Sequence, residues 1–459
     1  MFRLKNIASE PKGILNNVFF NFAKIFLNIG VPLITIPYVS RVLGVEDFGT
    51  VNYYMAIIAV LSVLSSFGLP TYAVSKLNVD LSRDEVEDKA LHILRLRINL
   101  FSVFSFFLVS FFVFNDSGLL IPVFLILIAV FGEIISCDWF FISMRQQKLV
   151  FLRTLCSRVA FVLLIFAFVD GSDGALRYLT IFSLLSLLIG LVSFFIIFEF
   201  QDKTKARTKV SVRFKDVFFI FIAILLSSIF GKFDLVLLSS LIGEIQFGYF
   251  SSAYKLIAIV LTIVTSISMV VIPFLNDKKD SSPTYNSLVT SIIFQASISI
   301  FLFFWFFNIE IVNLVYGQSF HEASAYLKIL SLMIIFVPFY NAVIYQVLLI
   351  NKKLHIAIVL FFIGIVTGFI SLIFLNDMYQ YTYAIIIANS VIFVLSLIYY
   401  FLCGFRMYFS LGIVFSILGM AVINSYENFD LYSRLGFSIC FLMLNFYFTT
   451  HFKTKRIRQ

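Results

Sequence analysis

Fourteen apolar runs follow one another along the chain, separated by short breaks that are charged or rich in Gly, Asn and Asp. They cover 14–38, 48–73, 92–114, 119–143, 152–169, 176–199, 215–241, 247–274, 287–308, 323–350, 354–375, 381–403, 408–425 and 432–451. A membrane-crossing helix takes roughly 20 apolar residues, so the pattern predicts an all-α polytopic membrane protein. Its transmembrane helices number about 14, arranged as twelve plus a final pair. Between the runs, no segment is long enough to fold as a separate domain. The longest, 74–91 and 200–214, are charged, and the first reads either as an amphipathic helix on the inner membrane surface or as a solvated connector.

Composition makes the membrane reading firm. The 459 residues are 61% hydrophobic and 13% charged, with a mean hydropathy of +1.01. Soluble domains run to about 45–50% and about 25%, which excludes a soluble enzyme. Sixty Phe and 21 Tyr exclude a disordered chain. The net charge of +9 would suggest nucleic acid in a soluble protein, but here its placement decides. With the N-terminus inside, 26 Lys and Arg fall in segments on the cytoplasmic side and only Arg41, Arg177 and Arg434 on the other. That bias predicts an even number of spans, both termini in the cytoplasm, and contact with lipid headgroups rather than nucleic acid. Cys137, Cys156, Cys403 and Cys440 all lie in apolar runs with no CxxC pair, and read as buried small hydrophobes rather than disulfides or metal ligands. The N-terminus has no cleavage signal and reads as a retained tail.

Two passages repeat. SRVLGVEDFG at 40–49 and SSLIGEIQFG at 239–248 share Gly44/Gly243, Phe48/Phe247 and Gly49/Gly248 at one constant offset. Each joins an odd-numbered span to the next, and six spans separate the copies. Both therefore enter the membrane in the same direction, which predicts two parallel six-helix lobes around a central cavity, rocking to give alternating access. The resulting division is a tail at 1–13, an N-lobe at 14–199, a linker at 200–214, a C-lobe at 215–404, a helix pair at 405–451 and a basic tail at 452–459.

At these passages the chain resembles a known family. PYVSRVLGVEDFGTVNY followed by SSFGLPTYAVSKL, the counterpart DLVLLSSLIGEIQFGYFSSAYKL, and DWFFISMRQQKLVFLRTLCSRV resemble the polysaccharide-transporter flippases of the multidrug/oligosaccharidyl-lipid/polysaccharide exporter superfamily. The resemblance implies a flippase in the cytoplasmic (inner) membrane that moves undecaprenyl-pyrophosphate-linked oligosaccharide, O-antigen or capsule repeat units, between leaflets. It also implies membrane lipids and polysaccharide polymerase machinery as partners. Many members have twelve spans, so the last pair is either a fourteen-span variant or an overcount.

Charge inside hydrocarbon needs a partner or a watery cavity. Lys24 is about ten residues into its span, hence ~15 Å deep, on a polar stripe with Asn17, Asn21, Asn28 and Thr35. In the second half Lys232 and Lys255 are similarly deep, and Arg41 lies at the outer end of the first span. Asn21, Lys24, Asn28, Arg41, Lys232 and Lys255 are the expected cargo-binding residues, their positive field offsetting desolvation of a pyrophosphate head. Lys328, near the outer end of its span, is expected to snorkel to the interface, whereas Arg158, within two turns of the cytoplasmic side, reads either as snorkelling or as lining the cavity. Glu133, Asp138 and Asp234 are the expected ion-coupling residues, for protons or sodium; the plainer alternative is that an acid neutralises Lys24 or Arg158. Prolines 32, 37, 70, 122, 273 and 338 offer kinks. No cofactor or metal is expected.

Two relatives compete: a peptidoglycan-precursor flippase, which shares the anionic head, and a cation-coupled multidrug exporter, which should be richer in carboxylates. A membrane polymerase or ligase would need a large outer loop with catalytic Arg or His. Here those loops are short and His321 is their only histidine, so the protein is read as no enzyme.

Overall fold

The computed structural model describes residues 11–408, apart from 77–82, 116–119, 145, 172, 200–212, 230–234, 237, 239–242, 278–282, 350, 352 and 374–377. The last two predicted spans, both tails except residues 11–13, and nearly all of the 200–214 linker lie outside the described residues, as do Lys232 and Asp234. No strand occurs among the described residues, as the apolar runs require. Nine helices among them are long and apolar enough to cross a membrane, and the chain is a multi-pass membrane protein.

Helix α1 runs Pro11–Ser66, 56 residues, and is interrupted at Gly44 (φ 75°, ψ −173°). At ~1.5 Å per residue it is more than twice the thickness of a ~30 Å hydrocarbon core, so it serves as two spans joined at Gly44. Only glycine takes that backbone conformation without strain. The second of these spans is cut short: Phe67 (φ 45°) and Gly68 (φ 73°) are left-handed and lead into the short α2, Leu69–Lys76. Helix α3, Arg83–Asn115, takes the charged stretch from Arg83 onward into its own first turns, so that part is continuous with a span rather than a separate surface helix.

Next come α4 (Leu120–Ile135), α5 (Asp138–Ser143), α6 (Gln147–Phe168), α7 (Gly174–Glu199) and α8 (Phe214–Ser228). The apolar run predicted at 119–143 is therefore broken between α4 and α5. Helices α4 and α7 cross through facing glycines: a Cβ on Gly132 would lie 2.4 Å from the Ser186 carbonyl carbon, and one on Gly190 2.5 Å from the Gly132 oxygen. Small residues let membrane helices pack this closely. The short α2 packs against both α5 and α8, and Phe67 stacks on Phe221 with ring centroids 4.1 Å apart.

The remaining helices are α9 (Glu244–Asp277), α10 (Pro283–Phe306), α11 (Asn308–Val315), α12 (Ala323–Leu330), α13 (Met333–Val343), α14 (Leu354–Ile373) and α15 (Met378–Leu402). The run predicted as one helix at 323–350 is three pieces, α12, α13 and a π-helical turn at Ile344–Leu349. Pro338 inside α13 withholds a backbone donor just before that turn. The chain divides into two compact units at Gly248–Tyr249.

The repeated motif has a structural counterpart inside the first unit. Phe48 and Phe247 are both 1% exposed. A Cβ on Gly49 would sit 3.0 Å from the Gly248 Cα, and one on Gly248 2.3 Å from the Val45 oxygen. The two copies thus meet glycine to glycine.

Candidate functional site

The break between α4 and α5 organises the charged residues of the first unit. Helix α4 stops at Ile135, Cys137 turns left-handed (φ 49°), and Asp138 begins α5. A helix interrupted within a membrane exposes carbonyls that need new partners. Arginines supply them. Arg97 of α3, only 5% exposed, donates from Nη1 to the Ile134 oxygen at 2.9 Å and from Nη2 to Ser66 Oγ at 3.3 Å. Arg153 of α6 donates from Nη1 to the Ser136 oxygen at 3.1 Å and also to Ser193 Oγ. Arg97 thereby ties together two places where helices of this unit break, at Ser66–Gly68 and at Ile134–Cys137.

Asp138 receives cations on both oxygens. Lys24 Nζ lies 2.7 Å from Oδ2, and Arg153 Nη2 pairs with Oδ1. The side chains are 22% exposed for Lys24, 36% for Asp138 and 8% for Arg153. One turn along α1, Asn28 accepts a hydrogen bond from Arg158 Nη2 at 3.4 Å. Glu133 accepts one from Ser62 Oγ, and its charge acts on both Arg97 and Arg158. Four cations and two carboxylates therefore converge within spanning helices, an excess of positive charge.

This arrangement corrects several expectations. Asp138 pairs with Lys24 and also with Arg153, which the sequence did not offer as its partner. Arg158 reaches Asn28 across to α1. Arg97 and Arg153, counted from the sequence among cytoplasmic loop charges, are buried parts of this cluster. Cys156 and Cys403 are exposed, whereas Cys137 is buried as expected. Arg41 is exposed at the other end of its span. Asn21 lies on α1, but its side chain is outside the described residues.

Lys255 lies on α9 in the second unit, half-buried. That unit is held by uncharged polar groups: Tyr340 donates to Asn389 Oδ1 at 3.1 Å, Thr290 to Gln346 Oε1 at 3.2 Å, and Tyr316 to the Ser252 oxygen at 2.7 Å. Ser287 and Ser291 of α10 accept the backbone N–H groups of Arg406 and Tyr408 at 3.0 and 2.9 Å. Lys328 is exposed and lies 4.9 Å from the centre of the Trp305 ring, a cation–π contact. No group of three or more metal-ligating side chains occurs among the described residues.

Residues 14–279, more than half of the chain, match the family described as polysaccharide biosynthesis protein. The chain belongs to that family. As a polysaccharide biosynthesis protein it also shares its fold with solved transporters. An inward-facing multidrug resistance MATE family transporter of the MOP superfamily superposes with a TM-score of 0.58 at 14% identity, covering 83% of this chain and 94% of that one. Its outward-facing counterpart gives 0.55 at 14%, covering 87% and 97%. A MOP superfamily transporter from Pyrococcus furiosus, described as having a binding pocket of reversed polarity that suggests a different function, gives 0.51 at 16%, covering 87% and 97%. No curated protein gives a significant sequence match. The fold is thus one that solved membrane transporters share.

Proposed function

We propose that this polysaccharide biosynthesis protein is a flippase carrying undecaprenyl-pyrophosphate-linked oligosaccharide repeat units, O-antigen or capsule, across the cytoplasmic membrane by alternating access. One observation carries the reading: four cations, Lys24, Arg97, Arg153 and Arg158, outnumber Glu133 and Asp138 within the spans of the first unit. A pyrophosphate-sugar head is anionic and hydrated, so it crosses hydrocarbon only where fixed positive charge offsets its desolvation. Lys24 of α1 and Arg153 and Arg158 of the facing α6 would meet the phosphates, while Asn28 and the other amide side chains contact sugar hydroxyls and the polyprenyl tail stays in lipid. Lys255 would add positive charge from the second half, and Arg41 would meet cargo at the outer end. Glu133 would take up the coupling ion, a proton or sodium.

A pocket built for drug cations needs the opposite sign. The Pyrococcus furiosus transporter, with its pocket of reversed polarity, is a precedent for that kind of change within one fold.

Deletion followed by analysis of membrane lipids tests the proposal. The expected result is a single-repeat lipid-linked oligosaccharide accumulating on the inner leaflet. Repeat units that reach the outer face without being polymerised would point to a polymerisation defect and reject the flippase. Loss of viability with accumulated peptidoglycan precursor would transfer the reading to that cargo.

A further inference from the structure

Asp138 occupies the place an anionic cargo would want. Its two oxygens hold the Lys24 ammonium, 2.7 Å from Oδ2, and the Arg153 guanidinium on Oδ1. These are the donors a phosphate would take, one on each of two oxygens. The carboxylate is also the most exposed member of the trio, at 36% against 22% and 8%. Its position in the chain matters as much as its charge. Asp138 is the first residue of α5, directly after left-handed Cys137, and α5 packs on α2 beyond the Phe67–Gly68 break. Trp139, Phe140, Phe141 and Ser143 of α5 are buried, and the polar ties at its start are the Asp138 pairing together with the Arg97 and Arg153 bonds to Ile134 and Ser136 just before it.

We propose that Asp138 is an internal surrogate for the cargo phosphate, displaced from Lys24 and Arg153 when the pyrophosphate head binds. Its release frees α5, and with it α2, to shift about the two left-handed turns. Occupancy of the site is thereby passed to the short helices on the side that the charge bias assigns to the cytoplasm. Lys24 and Arg153 are never left without a counter-charge: the carboxylate serves the empty site and the phosphate the loaded one. This avoids the cost of an unpaired buried cation in either state. The inference rests on the flippase reading.

The test is binding of undecaprenyl pyrophosphate, with neutral undecaprenol as control, to the full chain in nanodiscs. Removing the competitor by Asp138→Asn should tighten undecaprenyl pyrophosphate binding about tenfold, as loss of one charged hydrogen-bond competitor implies, while Lys24→Gln weakens it. Equal affinity in wild type and a folded Asp138→Asn variant overturns the surrogate and leaves the flippase intact. A second measurement keeps Asp138 in place. With Cys156, Cys403 and Cys440 replaced by Ser, undecaprenyl pyrophosphate should speed alkylation of buried Cys137 severalfold and undecaprenol should not; an unchanged rate in the lipid-bound protein overturns the displacement. If wild type does not distinguish undecaprenyl pyrophosphate from undecaprenol, the flippase reading itself falls.

Discussion

At the scale of single residues, the ion pairs of the first unit differ in how they can fail. Arg153 is nearly buried and serves three acceptors, Asp138, the Ser136 oxygen and Ser193. Removing one partner of such a pair leaves uncompensated charge, so Arg153→Ala should cost ~3–5 kcal/mol, read as a lowered unfolding midpoint in detergent. Lys24 is more exposed and makes one pairing with the same carboxylate, which Arg153 still neutralises. Lys24→Ala should therefore leave protein level and midpoint near normal while abolishing surface polysaccharide. Normal polysaccharide in that variant would remove Lys24 from transport. Lys24 was legible in the sequence because an ammonium some ten residues into an apolar run has nowhere ordinary to go. Arg97 and Arg153 were not. Each stands near the end of a run, where a basic residue ordinarily reports loop charge, and nothing local reveals a helix break on another span for it to satisfy.

At the scale of elements, the same limitation explains the differences in fold. Periodicity finds a helix but not a two-residue interruption within an unbroken apolar stretch, so α4 and α5 read as one span and 323–350 as another. The left-handed residue at the first of these is Cys137, which carries a Cβ where glycine would be unstrained. Cys137→Gly should retain transport and expression, whereas Cys137→Ile, β-branched at a positive φ, should lose ~1–3 kcal/mol of stability. The α4–α7 crossing makes a complementary prediction. With 2.4 Å available for a Cβ at Gly132 and 2.5 Å at Gly190, either glycine replaced by Val must push two backbones apart. A loss of ~1–3 kcal/mol or more is expected in thermal unfolding. An unchanged midpoint would mean that the crossing is looser than described.

For the molecule as a whole, the repeated glycine motif and the charge bias were both readable from the chain, and each concerns a different property. The motif returns as mutual contact at Gly49 and Gly248. The bias speaks to orientation, which is checked with reporters. A fluorescent protein fused after Gln459 should glow and a phosphatase inserted at Asp173 should be active, with the reverse pattern inverting the topology. The protein has only two tryptophans, and they fall one to each compact unit. Trp139 is the second residue of α5, 4% exposed, with its indole nitrogen unbonded among the described residues; Trp305 lies beneath the Lys328 ammonium. Intrinsic fluorescence can consequently be resolved into separate optical channels by two Phe replacements. A red shift confined to the Trp139 channel when lipid is added would time the motion of α5 without any introduced dye.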